Sequence, residues 1–420
     1  MSCLCAHPIL SLSRLSTLAL AGAVTLLAGC ASLSGHDTAV AAGPAGDSFY
    51  TPPAVLPAGE HGDVIWARAL DNEAGLADAA ENWLVLYRST DLDGQPIAVS
   101  GTLAVPKGTP PADGWPVISW THGTTGIADI CAPSRNDADY PARGYVSLMN
   151  DSLNQWVKQG YAVVKTDYQG LGTPGPHPYL IGDVEARGAT DMVLAARQVS
   201  PRLSRDWLVM GHSQGGQAAL YTAYLGPIYA PNLNLVGAIA ISPAAYLSTQ
   251  IKYAQAHPDI PASAYGALML KSAATMSPEV DLSKLLTPLG QQRTQLADER
   301  CVGQLTGPDA FGGLSTKQVM RMDADFNPFN DVFATLGDSE NLRPSVPLLV
   351  LQADNDRVVL QSLTDRMVAR FRNLGLEVDY QSYHIGDKGT IPTNHQATVA
   401  VSLRDAMAWG QARLPAPAPR

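Results

Sequence analysis

Gly211-His212-Ser213-Gln214-Gly215 sets a serine between two glycines in the pattern G-x-S-x-G. A serine hydroxyl becomes a useful nucleophile only when a base takes its proton and a third group holds that base in the right tautomer. The string alone is weak evidence, because the chain contains 37 glycines and many serines. Its context is stronger. Trp207–Met210 is a short apolar run ending at Gly211, and Gln214–Leu225 follows at once with a helical pattern. Strand, sharp turn and helix together present a serine hydroxyl at the rim of a sheet. The flanking glycines suit such a turn because a Cβ there would meet neighbouring backbone, and Gly216 extends that freedom.

In this arrangement the partners follow in the order serine, acid, histidine. The apolar run Val346–Leu351 leads into Gln352-Ala353-Asp354-Asn355-Asp356, so two carboxylates, Asp354 and Asp356, stand just past the end of a strand. Two of the nine histidines come later. His384 ends the strand-like run Glu377–Tyr383, and His395 lies in the loop leading into a last helix expected over Thr398–Arg413. A base that reaches a nucleophile from a loop favours His395. Acyl transfer also needs donors for a developing oxyanion. One is expected to be the backbone N–H of Gln214. The other is expected from His122-Gly123-Thr124-Thr125-Gly126, where Thr124 or Thr125 presents an N–H and His122 braces the loop.

The elements that must hold these groups read as a mostly parallel sheet wrapped by helices. Strand-like runs at Val64–Leu70, Trp83–Ser89, Ile97–Val105 and Val117–Trp120 come first. Short apolar strands then alternate with helices through Ile241, and the alternation resumes at Val346. Residues 244–344 interrupt it with a helix-prone, methionine-containing stretch, read as a cap inserted into an α/β core made of residues 63–243 and 345–414. Residues 415–420 read as a frayed tail.

Of 420 residues, 46% are hydrophobic and 16% charged, which is enough apolar material for a large core. The net charge of −10 leaves no basic field for a phosphate backbone, so nucleic acid is excluded as a partner. Leu15–Gly29, preceded by Arg14, has the layout of a secretory signal over residues 1–29 and is too short for a confident membrane span. Its end, Leu27-Ala28-Gly29-Cys30, resembles a bacterial lipobox. Cys30 would then carry the lipid, residues 30–62 would form a flexible tether, and attachment to a membrane, on the outer-membrane side, would be by acyl chains rather than a helix. Export implies an oxidising compartment. There Cys131 and Cys301, the two cysteines outside the leader region, are expected to pair. Closing so long a loop is worth up to about 4–5 kcal/mol in the chain-entropy model.

Several segments carry a family resemblance: HGTTG (122–126), CAPS (131–134), GYAVVKTDYQGLG (160–172), GHSQGG (211–216) and NLNLVGAIAISP (232–243). Together with the acid and histidine segments they resemble the secretory lipases of the α/β-hydrolase superfamily, the group typified by Candida lipase A. Ala353-x-x-Asp356-x-x-Val359 is similar to the G-x-x-D-x-x-V segment that carries the acid in many α/β-hydrolases, which favours Asp356 over Asp354. The resemblance implies an α/β-hydrolase fold, a helical lid matching 244–344, and a CAPS cysteine tied to a cap cysteine. Asp167 and Tyr168 either line the pocket or buttress their loop. One departure is that HGTTG stands where fungal members present an acidic oxyanion residue.

The expected function is therefore a serine hydrolase of carboxylic esters, with acylglycerol or other lipid-like substrates, through Ser213, His395 and Asp356. A prolyl-peptidase-like reading would want a propeller domain, for which the chain lacks length and repeats. A non-catalytic surface lipoprotein would not need all three residues. No cofactor motif and no metal-ligand spacing is legible.

Overall fold

The computed structural model describes residues 40–386 and 394–416. The signal, Cys30 and residues 417–420 lie outside them.

Nine strands form one sheet, in the order β1-β2-β3-β5-β4-β6-β7-β8-β9. They are β1 (Val64–Ala69), β2 (Glu81–Thr90), β3 (Pro96–Val105), β4 (Trp115–Thr121), β5 (Ala162–Thr166), β6 (Leu203–His212), β7 (Asn234–Ile241), β8 (Leu348–Ala353) and β9 (Val378–Tyr383). β1, β2 and β3 pair antiparallel, as does β3 with β5; from β5 across to β9 every pairing is parallel. The central strands are buried along their length, as strands covered on both faces must be. The two-residue period sorts their side chains. Val117, Val164 and Val209 join one core with the helices α2 (Gly182–Val199) and α3 (Gln214–Tyr229). Ile118, Val163 and Leu208 join the opposite core, with α1 (Arg143–Lys158).

Between β7 and β8 the chain leaves the sheet. It forms α4 (Leu247–Ala256), α5 (Ala264–Met276), the short α6 (Leu282–Leu285), α7 (Pro288–Gln295), α8 (Val302–Leu305), α9 (Thr316–Val319), and then α10 (Asn327–Leu336). Among the described residues this stretch contains only isolated bridges, Pro261 with Ser315 and Leu286 with Met320. It packs its own apolar cluster around Leu268, Phe329 and Phe333, joined by Leu180 and Ile181 from the segment before α2. The last layer is α11 (Gln361–Asn373) and α12 (Asn394–Arg413).

Two boundaries differ from the sequence reading, and α1 has a first half with little helical signature: it starts at Arg143, and the packing of its buried Val146, Met149, Leu153 and Trp156 on one stripe overrides the weak helix formers Gly144, Tyr145, Val146 and Ser147. Ordered chain begins before Asp63, because Phe49 and Tyr50 are buried against Ile65, Leu84 and Leu86. The final helix begins at Asn394, so His395 is held on its first turn rather than on a loop.

Candidate active site

The turn from β6 into α3 carries Ser213 at φ 61°, ψ −118°, a conformation rare for a residue with a side chain. Its N–H donates to Ile241 O at 2.9 Å, and its own carbonyl accepts from the Gln217 and Ala244 amides. Strain is tolerated here because neighbouring backbone fixes the turn. A Cβ at Gly211 would strike Thr121 Oγ1 and the Gly215 carbonyl, and one at Gly215 would strike the Thr121 carbonyl. The glycines on either side of the serine are therefore there for close approach to β4.

Asp356 lies in the turn after β8. Its Oδ1 accepts from the Val358 and Val359 amides at 2.8 and 2.9 Å, and its Oδ2 faces His395 Nδ1 at 2.7 Å. Both side chains are buried, at 0% and 5% exposure. Burial alone would raise the Asp356 pKa, but the hydrogen bond and charge of His395 and the two amides outweigh it and hold the carboxyl below its ordinary range. Asp354 and His384 instead pair with each other at 3.1 Å on the surface.

Ser213 and His395 line one cavity of about 240 Å³, with Gly123, Thr124, Tyr145 and His212, and with Tyr265, Val302 and Gly303 from the insertion. No hydrogen bond joins Ser213 Oγ to His395 among the described residues. Such bonds commonly tighten only when substrate is bound. The Gln214 and Thr124 amides also have no protein acceptor among the described residues. His122 stays out of the cavity: its Nδ1 lies 2.7 Å from Gly123 O, and burial lowers its pKa.

Two groups in this site were missed by sequence reasoning. Tyr145 accepts from the Gly123 amide at 2.7 Å and lies 3.0 Å from His212 Nδ1, while His212 Nε2 lies 3.0 Å from the His395 carbonyl oxygen. Burial and the nearby His395 push His212 well below its ordinary pKa, so it is neutral. A neutral imidazole donates at one nitrogen and accepts at the other. Nε2–H therefore donates to His395, and Nδ1 accepts from the Tyr145 hydroxyl. This chain of bonds links the loop after β4 to the backbone of His395. The other missed group is Glu185. The Gln214 side-chain amide donates to Glu185 Oε1 at 2.7 Å and to His177 Nε2 at 3.0 Å. Burial without a cation raises Glu185 to about 8, and burial lowers His177 to about 3.

Cys131 and Cys301 are joined, with Cα atoms 5.5 Å apart and a sequence separation of 170. The bridge pins the start of α8 beside the loop after β4, where the Val302 amide donates to Thr125 O at 2.8 Å. A Cβ at Gly126 would fall 2.5 Å from Cys131 Sγ. Asp167 and Tyr168 buttress: Asp167 accepts from the Ser134 amide at 2.9 Å and from Ser100 Oγ at 2.7 Å, and Tyr168 donates to His122 O at 3.0 Å. The CAPS and TDYQGLG segments are thus two halves of one buried network. Among the described residues no metal-binding cluster occurs, and no helix is long and apolar enough to cross a membrane.

A parallel sheet whose central strand ends in a serine turn, with an acid and a histidine delivered from later strand ends, defines an α/β-hydrolase. Residues 146–418 match the secretory lipase family model, well over half of the chain, and the protein belongs to that family. Lipase A of Moesziomyces aphidis is 28% identical over 233 residues, 54% of this chain but only 49% of the relative, so that match spans about half its length. A secreted triacylglycerol lipase of Malassezia globosa is 24% identical over 94% of this chain and 86% of its own. A Mycobacterium tuberculosis relative, 24% identical over 81% of this chain and 78% of its own, is named a probable inactive lipase. Among solved structures, Candida antarctica lipase A in its closed state superposes with a TM-score of 0.66 at 21% identity, covering 80% of each chain.

Proposed function

We propose that Ser213, His395 and Asp356 are the nucleophile, general base and orienting acid of this lipase or esterase. The Ser213 oxygen attacks the ester carbonyl carbon while His395 Nε2 takes the hydroxyl proton. Asp356, bonded to Nδ1, steadies the imidazolium. The amides of Gln214 and Thr124 receive the oxyanion. Collapse breaks the bond to the leaving oxygen, which takes the proton from His395. Water then attacks the acyl-enzyme by the same route and releases the acid.

The observation that carries this reading is the buried 2.7 Å contact between Asp356 and His395, the latter lining the same cavity as Ser213. Acylglycerols and simpler carboxylic esters are the proposed substrates, supported by the apolar wall that the insertion contributes and by the names of the relatives. Residues 244–344 are proposed as the cap. The leader and the family agree with export, and lipidation at Cys30 is proposed as the means of membrane attachment.

The test is hydrolysis of p-nitrophenyl butyrate by purified Ser213→Ala. Loss of at least about 10³-fold in kcat is expected. Unchanged turnover, or failure of the parent protein to react with a fluorophosphonate, would remove the assignment.

A further inference from the structure

A second cavity, of about 530 Å³, lies between the insertion and the core, walled by α4, α5 and the segment Arg357–Leu363. It shares no lining residue with the Ser213 cavity. Helix α5 stands between them, presenting Tyr265 to one and Gly266 and Leu270 to the other. Its volume falls within the ~300–1,000 Å³ usual for small-molecule sites.

The lining has an uneven chemistry. Ile251, Leu270 and Val319 make the interior apolar, and Arg357 is the one charged residue among those lining it. Arg357 is exposed and has no ion-pair partner among the described residues. Around it Tyr253, Val358 and Leu360 leave 58%, 40% and 50% of their surface in water, unusual for side chains of this kind clustered together. An apolar hollow with a single unpaired cation at its edge is complementary to a molecule with one apolar chain and one anionic head.

We propose that this cavity is a second, non-catalytic site for a single-chain anionic amphiphile, the chemical class of a free fatty acid. The chain lies between α4 and α5, and the carboxylate meets the Arg357 guanidinium, which can bind it through two parallel hydrogen bonds. The inference stands on the cavity rather than on the ester chemistry, although the proposed reaction releases a ligand of this class. Occupancy also bears on Ser213 chemistry. Val358 lines the cavity, and its amide is one of the two that grip Asp356.

The test is equilibrium binding of monomeric dodecanoate to the full Ser213→Ala chain, which turns nothing over. Two further substitutions are added separately. Ala254→Trp fills the hollow and is expected to weaken dodecanoate at least tenfold. Arg357→Gln is expected to weaken dodecanoate at least fivefold while leaving dodecanol unchanged. In protein with Ser213 intact, dodecanoate is expected to lower kcat on p-nitrophenyl acetate without raising KM, an effect absent in Ala254→Trp. Dodecanoate affinity within twofold of the parent in both variants overturns the proposal. So does an equal loss of dodecanol in Arg357→Gln, a purely competitive effect on KM, or binding only to anionic vesicles. Failure of ester hydrolysis itself would count against the Ser213 assignment and leaves the binding result to be read by itself.

Discussion

Asp356 with His395, and Asp354 with His384, are two aspartate–histidine pairs carried by the same two stretches of chain beyond β8 and β9. The first is buried, 2.7 Å apart, with its carboxylate gripped by two backbone amides. The second is 3.1 Å apart, with 77% of the histidine side chain and 38% of the aspartate side chain in solvent. In water a pair of this kind contributes little, and either partner can turn away. Buried, the same two groups fix a tautomer and an orientation. Glu185 adds a third case: a buried carboxylate with no cation beside it is pushed up to about 8 rather than down. Burial pushes a carboxyl up, as at Glu185; at Asp356 the histidine and the two amides outweigh it and reverse the direction.

The comparison breaks most sharply at the histidines. His395→Ala is expected to lower kcat on p-nitrophenyl butyrate by about 10⁴-fold or more, and His384→Ala by less than twofold, read from steady-state rates. A smaller effect is expected from the bonds that hold His395 by its backbone. Tyr145→Phe removes the hydroxyl between Gly123 and His212 and should lower kcat about tenfold with little change in KM, a size typical of losing one orienting hydrogen bond. If KM moved and kcat did not, Tyr145 would belong to substrate binding instead.

The gentlest test concerns Glu185. Its pKa in the folded protein is raised, so the folded state holds a proton that the unfolded chain gives up near pH 4.5. Stability should accordingly fall as pH rises from about 4.5 to about 8. Glu185→Gln mimics the protonated form, and its melting temperature should draw ahead of the parent across that window. A constant difference from pH 5 to pH 9 would contradict the burial argument.

Much of this site was readable in the chain, for identifiable reasons. Gly211, Ser213 and Gly215 announce a turn because only small residues fit it; Asp354 and Asp356 both stand just past a strand, and only the similarity of Ala353-x-x-Asp356-x-x-Val359 to the acid segment of α/β-hydrolases favoured the second. The sheet was legible where apolar runs are short and bounded. Tyr145 was not, because the first half of α1 contains the weak helix formers Gly144, Tyr145, Val146 and Ser147, and its helical stripe appears only once Val146 and Met149 have something to pack against. Glu185 stands in no recognisable motif; its burial beneath Gln214 is a tertiary fact with no local signature. Phe49 and Tyr50, two aromatics in a stretch rich in glycine and proline, were the available sign that the ordered chain begins early.

The central claim is that burial and the amide grip single out Asp356 rather than its neighbour two residues away. Asp356→Asn and Asp354→Asn change the same atoms within one turn, and kcat/KM for p-nitrophenyl butyrate reads both. A fall of about 10⁴-fold for Asp356→Asn beside a change of less than twofold for Asp354→Asn is the expected result. The reverse ranking, or equal losses, would contradict the account.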